Sequence, residues 1–275
     1  MPPKSAEPKA KKRPNGYESI ISAIFEAHYV VGETEFEFER EEIRSTADSL
    51  GIKVPDNLGD VTYSFRYRRD LPLQIRETAA EGMEWIIQGK GRSKYLFKQV
   101  RLSRIIPRSD LVTIKVPDST PEIIAKYAQG DEQALLAKVR YNRLVDVFLG
   151  ITAYSLQNHL RTTVSGIGQI EIDEIYVGLD RYGRQFVVPV QAKGGNDKHG
   201  VVQTQQDIAC CNEKFPRLLC RPVSAQFMSN GRIAMFELFV EDDEVKVVDE
   251  RHYQLVSSND ITDDDLLTYS TRIAK

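Results

Sequence analysis

The sequence predicts an α/β protein in two parts. A mostly helical first part runs to about residue 108, and a second part with a mixed sheet flanked by helices covers residues 109–275. Three observations carry this. Before residue 70, apolar side chains recur at helical spacing in successive short stretches. Residues 169–193 read as two adjacent strands joined by a tight turn. After Lys193, a helical pattern at 201–211 is followed by strand patterns at 223–228 and 233–240.

In chain order, residues 1–16 are rich in Lys and Pro, lack periodicity, and predict a disordered basic arm. Ile20, Ile21, Ile24 and Phe25 define a helix over 17–29, and Ile43, Ala47 and Leu50 a second over 39–50, with Gly51 as its stop signal. Pro55-Asp56-Asn57 announces a third helix to Arg69, with Leu58, Val61 and Phe65 inward and Tyr63, Arg66, Arg68 and Arg69 outward. A further helix spans 73–82, and strands at 84–88 and 94–98 flank the turn from Gly89 to Ser93. Helices, turn, basic helix and basic-tipped hairpin resemble a winged helix-turn-helix. In that arrangement the 57–69 helix enters the major groove through Arg66, Arg68 and Arg69, and Lys90 and Arg92 touch phosphate.

A long helical segment is predicted from 120 to 161, starting at Pro121 after Ser119-Thr120. Its second half places Leu144, Val147, Phe148, Ile151 and Leu156 on a core-facing stripe, with Gln157, His159 and Arg161 at its end as surface residues or as polar support for a metal. The hairpin follows. Ile170, Ile172, Val177 and the run from Phe186 to Val190 supply β-branched and aromatic side chains at strand density. Asp180-Arg181-Tyr182-Gly183 has the chemistry of a type I turn with glycine at the left-handed position. That turn pairs Asp180 with Arg184, and counting back sets Asp173 opposite Gln191 and Glu171 opposite Lys193. Side chains alternate along a strand, so these four project together. A one-residue slip brings Glu174 to that face instead, so the register leaves Asp173 or Glu174 as the carboxylate. Ionised groups on a largely buried hairpin need partners or a metal, and this set suits a divalent cation beside a lysine. Gln203, Gln206 and Asp207 are candidates to line the same cleft, and the acidic run at 263–265 reads as a solvated helix start.

At 275 residues with a net charge of −3, the chain is long enough for one large core or two modest ones. The near-neutral total conceals asymmetry: between residues 53 and 108 basic residues outnumber acidic ones about two to one, and the end is acidic. No stretch approaches the ~20 apolar residues of a membrane span, and the start carries no hydrophobic signal region, so a cytoplasmic location is expected. Cys210, Cys211 and Cys220 fit neither a disulfide framework nor a zinc site. Phosphate-loop and dinucleotide fingerprints are missing from the sequence, and the four histidines lack metal-ligand spacing.

The carboxylate strand, short hairpin and Gln191-Ala192-Lys193 resemble the restriction-endonuclease-like, or PD-(D/E)xK, superfamily of nucleases in its Gln-x-Lys variant, with a restriction-endonuclease-like sheet implied. The words Ser155 to Thr163 and Gln203-x-x-Gln206-Asp207 are similar to prokaryotic restriction endonucleases of this kind. The resemblance covers roughly residues 140–235. It implies a metal-dependent endonuclease that hydrolyses double-stranded DNA, of type II-like restriction character. Asp173, with Glu174 as the alternative, would bind Mg²⁺ (Mn²⁺ as substitute), Gln191 would add an oxygen ligand, and Lys193 would position or activate water. A homodimer and a cognate methyltransferase follow by the same analogy. Gln191 departs from the usual acidic residue, which leaves two alternatives: a non-catalytic DNA-binding regulator with a degenerate nuclease domain, or a DNA-repair nuclease.

Overall fold

The computed structural model describes residues 16–101, 104–127, 132–194, 199–228, 231–242 and 244–271. The expected basic arm, apart from Gly16, lies outside the described residues.

The first part contains α1 (Gly16–His28), β1 (Glu35–Glu39), α2 (Arg40–Ser49), α3 (Gly59–Tyr63), which runs on into a π-helical turn (Ser64–Arg68), α4 (Leu73–Arg76), β2 (Glu84–Gly89) and β3 (Lys94–Val100). The strands form an antiparallel sheet in the order β1-β3-β2. Strand β1 was not expected. Its Glu-Phe-Glu-Phe-Glu alternation is a period-2 pattern that exposes Glu35, Glu37 and Glu39 and buries Phe38. Glu42 then accepts the Glu39 backbone N–H at 2.6 Å and closes a capping box at the start of α2. The core gathers Ile20, Ile21, Ile24 and Phe25 of α1 against Val61, Phe65, Trp85 and Phe97. Phe25 meets Trp85 and Phe97 edge-on at 5.2 Å each, an arrangement favoured by the ring quadrupoles. The helix expected over 73–82 is confined to Leu73–Arg76.

The second part contains β4 (Arg104–Ile105), β5 (Thr113–Pro117), α5 (Glu122–Tyr127), α6 (Glu132–Tyr141), α7 (Leu144–Leu149), β6 (Thr152–Val164), β7 (Gly168–Leu179), β8 (Gln185–Lys193), β9 (His199–Gly200), α8 (Val201–Lys214), β10 (Leu219–Cys220), β11 (Val223–Phe227), β12 (Arg232–Glu241), β13 (Glu244–Val256) and α9 (Asp263–Ser270). The main sheet runs β5-β13-β12-β11-β8-β7-β6, with β10 added beside β8. It is mixed: β8 and β11 are parallel and joined through α8, while β6, β7 and β8 form an antiparallel meander. Helices α6 and α7 cover one face through Leu135, Leu136, Val139 and Val145 against Val188, Val190 and Ala192. On the other face Cys210 and Cys211 of α8 meet Ile172, Ile175 and Val187. Burying each such Val or Ile stabilises the fold by about 1.5–3 kcal/mol. Ile86 and Val100 of the first part pack with Val201, Val202 and Phe236 of the second, so the two parts share a buried cluster. Arg104 and Ile105 pair with β9, which ties the segment before the expected boundary at 108 to the second part.

The long helix expected to reach residue 161 is corrected here. Gly150, at φ 65°, ends α7, and the chain continues as the 13-residue strand β6. Thr152, Tyr154, Thr162, Thr163 and Val164 favour the extended state, and pairing with β7 over its whole length overrides the apolar spacing that mimicked a helix. Val147 and Leu156, placed on the core stripe, are in fact exposed. The hairpin turn forms as the sequence predicts: Gly183 takes φ 79° and the Asp180 N–H bonds the Arg184 carbonyl at 3.1 Å. Among the described residues no helix is long and apolar enough to cross a membrane.

Candidate active site

The regular ladder between β7 and β8 runs from Leu179–Gln185 to Glu174–Val190 and stops there. On its other side β8 stays paired with β11 through Lys193. The antiparallel neighbour therefore peels away at Asp173 while the parallel neighbour holds β8 straight, which opens a notch at the carboxyl ends of β8 and β11. Side chains bridge the gap. The Ala192 N–H donates to the Asp173 carboxylate at 2.8 Å, and Gln191 Nε2 donates to the Glu171 carbonyl at 3.2 Å.

Strand β6 has a matching irregularity. Asn158 pairs with Glu174 and Leu160 with Ile172, which sets His159 across from Asp173. His159 adopts φ 48°, a left-handed conformation uncommon for a side chain of its size. Asn158 and Glu174 both reach Arg140 of α6, whereas Leu160 and Ile172 belong to the cluster beneath α8. The strands thus change faces at His159 and Asp173, which explains why Asp173 points into the notch rather than into either core.

Glu171, Asp173, Gln191 and Lys193 line one cleft of about 490 Å³. Glu174 does not. Its carboxylate is fully buried on the α6 side, where it accepts from Arg140 Nε at 2.8 Å and Ser155 Oγ at 2.5 Å. The expectation that Glu174 is a metal ligand is corrected on that ground, because the register keeps Asp173 in the notch.

Burial raises the Asp173 carboxyl above the ordinary carboxylate range, opposed by the Lys193 ammonium, the Ala192 N–H and His159. The Lys193 side chain is 11% exposed and its Nζ stands 3.8 Å from the carboxylate of Glu132 at the start of α6. Behind Gln191 lies Asp207 of α8, wholly buried, which accepts from Gln191 Nε2 at 3.2 Å; burial pushes its carboxyl well upward. His199 is buried beside Thr204, and burial together with the Lys193 charge brings its imidazole down to about 3, so the ring is neutral.

Among the described residues no three His, Cys, Asp or Glu side chains come together as a metal-holding set. The donors at the notch are of another kind: the Asp173 carboxylate and the Gln191 Oε1, which is buried without a hydrogen-bond partner. Hard oxygen donors of this type suit Mg²⁺, and an unpaired buried acceptor is the kind of atom a cation satisfies.

The five cationic residues singled out as polyanion contacts separate. Arg66 and Arg68 line the cleft with Asp173, together with Tyr63 and Tyr67. Arg69 lines a second cleft of about 450 Å³ between the two parts. Lys90 is ion-paired with Glu37 at 2.7 Å, and Arg92 is exposed at the hairpin tip. The basic helix therefore looks across at β6–β8 instead of standing free. Tyr67 anchors it there by donating to Gln206 Oε1 of α8 at 2.9 Å.

Of the three residues for which the sequence left surface and metal support open, His159 and Arg161 line the cleft. Both pair with Glu171, at 3.3 Å from His159 Nδ1 and 3.1 Å from Arg161 Nε. The alternation of residues 157, 159 and 161 was the signal for a strand; it was masked by the helical reading. Gln203 and Gln206 line the cleft as expected, whereas Asp207 sits behind it. No protein-family model matches the chain, and no curated protein or solved structure matches it.

Proposed function

We propose that this protein is a metal-dependent endonuclease that hydrolyses phosphodiester bonds of double-stranded DNA, in the manner of a type II-like restriction endonuclease with a restriction-endonuclease-like catalytic part. The observation that carries this reading is the notch itself. Asp173, Gln191 and Lys193 converge where β7 leaves β8, inside a cleft whose opposite wall carries Arg66 and Arg68. Asp173 and Gln191 Oε1 would hold Mg²⁺, with Mn²⁺ as a substitute. The bound ion would acidify a water and neutralise charge on the scissile phosphate. Lys193 holds a fixed ammonium near that position, where negative charge develops in the transition state. Its Nζ stands 3.8 Å from the Glu132 carboxylate. Arg66, Arg68 and Arg161 supply positive charge for the flanking phosphates. The first part then acts as a winged-helix-like DNA-binding domain whose basic helix also walls the cleft. A two-fold homodimer, a cognate methyltransferase and a cytoplasmic setting belong to the same proposal.

Two observations favour a second reading, that of a DNA-binding regulator without catalysis: the second ligand position carries the neutral Gln191, and no three-residue metal set is present among the described residues. A repair nuclease would use the same residues and differ in preferring junctions or nicks. Plasmid and phage DNAs, methylated and unmethylated, incubated with Mg²⁺, Mn²⁺ or EDTA, test the proposal. Discrete metal-dependent bands that vanish in Asp173→Ala and Lys193→Ala support the nuclease. DNA retained in a gel shift but never cut supports the regulator.

A further inference from the structure

We infer that Asp207 is the positioning residue that holds the Gln191 amide with its oxygen toward the cleft, so that a buried aspartate–glutamine pair stands in for a metal-binding carboxylate. The inference rests on the metal-site reading above and goes beyond it by assigning a role to a residue that never reaches the cleft.

The argument is one of hydrogen-bond accounting. Gln191 is 1% exposed, so water does not choose its orientation. A primary amide has two donors on nitrogen and an acceptor oxygen. Both donors are used: one goes to Asp207 Oδ1 and the other to the Glu171 carbonyl, each at 3.2 Å. The carbonyl can only accept, so turning the amide over would set oxygen against oxygen. The nitrogen is therefore committed to the rear of the site. What remains is Oε1, buried and without a partner, on a residue that lines the cleft beside Asp173. A buried acceptor left open is costly unless something fills it, and a hard divalent cation fits both the atom and its carboxylate neighbour.

The position of Asp207 in the fold supports this role. It lies on α8, the connection between the parallel strands β8 and β11, and is 2% exposed. Its neighbour Gln206 accepts from Tyr67, so the same turn of α8 is fixed from both sides. A carboxylate at position 191 would set oxygen against the Glu171 carbonyl, which can only accept, and against the acid of Asp207 behind it. Glutamine at 191 thus answers two acceptors, the Glu171 carbonyl and the acid behind it. Exchanging the two chemistries should restore the contact between positions 191 and 207 that a carboxylate at 191 alone would lose, although the Glu171 carbonyl still loses its donor.

Mn²⁺ binding by the full chain without DNA, measured by calorimetry, tests this on the wild type and four variants. Asp207→Leu removes the acceptor and should weaken binding by on the order of tenfold to a hundredfold, the range typical of lost outer-shell partners. Asp207→Asn keeps an acceptor oxygen and should restore most of the affinity. Q191E alone should bind no better than wild type, whereas Q191E/D207N, with donor and acceptor exchanged at that one contact, should bind more tightly than Q191E. In cleavage assays the Mg²⁺ needed for half-maximal rate should rise in Asp207→Leu. Equal Mn²⁺ affinity in wild type and Asp207→Leu would overturn the inference. If Asp207→Leu does not fold, as judged by circular dichroism, the inversion decides: no gain of Q191E/D207N over Q191E overturns it. A wild type that binds no Mn²⁺ sinks the metal-site reading itself, and the inference with it. Binding by the wild type that is indifferent to Asp207 sinks the inference alone.

Discussion

Ala192 donates its backbone N–H to the Asp173 carboxylate at 2.8 Å, just beyond the last regular pair of the hairpin, Glu174 and Val190. The side chain replaces the strand as the partner of that N–H, and this holds the notch open without leaving a buried donor unsatisfied. Asp173→Asn keeps an acceptor for Ala192 and nearly the same shape while removing the charge. Its thermal stability should stay within a few degrees of wild type, and DNA cleavage should fall by about 10²–10³-fold, the usual loss when one preorganised electrostatic group is removed. A large drop in melting temperature would instead make Asp173 a structural residue.

Lys193 presents a different case, because its ammonium faces the cleft and its nearest described acid, Glu132, is 3.8 Å away. Lys193→Met keeps most of the volume and abolishes the charge. Cleavage should drop by about 10²-fold or more, while DNA retention in a gel shift changes little. An equal loss in binding and in cutting would assign Lys193 to the DNA grip.

The two ends of the basic region should behave unequally. Arg68 opens onto the cleft, with its guanidinium 5.2 Å from the Tyr63 ring centre, whereas Lys90 is already paired with Glu37. Arg68→Ala should weaken DNA binding and lower the slope of log affinity against log salt by about 1. Lys90→Ala should do so much less. The reverse order would make the hairpin tip the main contact and the cleft wall secondary.

Much of this arrangement was legible in the sequence, for a local reason. The turn from Asp180 to Gly183 fixes the register, and the register determines which residues oppose Gln191 and Lys193. What failed was non-local. Leu144, Phe148 and Ile151 have helical spacing that masks the strand alternation of residues 157, 159 and 161, and which strand this segment pairs with is a non-local outcome. The left-handed His159 and the change of face beside it depend on that pairing, so the sequence left His159 and Arg161 open between surface and site. Glu132 was invisible for the same reason, since its closeness to Lys193 is set by how α6 crosses the sheet. Strand β1 was legible in its Glu-Phe alternation, a period of two that marks a strand.

Glu174 and Arg140 supply a stability prediction separate from the cleft. Removing one partner of a buried ion pair leaves an uncompensated charge and costs about 3–5 kcal/mol; Arg140 is 36% exposed, so the lower end applies here. Arg140→Ala should lower the denaturant midpoint accordingly, and Glu174→Gln should relieve much of that loss in the double variant. Cleavage per folded molecule should be retained in both, because neither residue lines the cleft. Loss of metal binding in Glu174→Gln would return Glu174 to the site.

The buried His199 makes acid sensitivity part of this fold. Its imidazole titrates near 6.5 when unfolded but is brought down to about 3 by burial and the Lys193 charge. Between those values the unfolded chain binds a proton that the folded chain refuses, so this contribution to stability is complete above 6.5 and is lost as pH falls. The slope approaches one proton, or about 1.4 kcal/mol per pH unit, giving a loss of about 2 kcal/mol by pH 5. His199→Gln removes the titrating group, and its polar end can still face Thr204, the present partner of His199 Nε2. Whatever the variant costs at pH 7.5, the gap between the two proteins should shrink as pH falls to 5. Urea unfolding at four or five pH values measures this directly. A gap independent of pH would mean that the ring gains its proton without leaving the fold, and that the apolar enclosure around it opens to water.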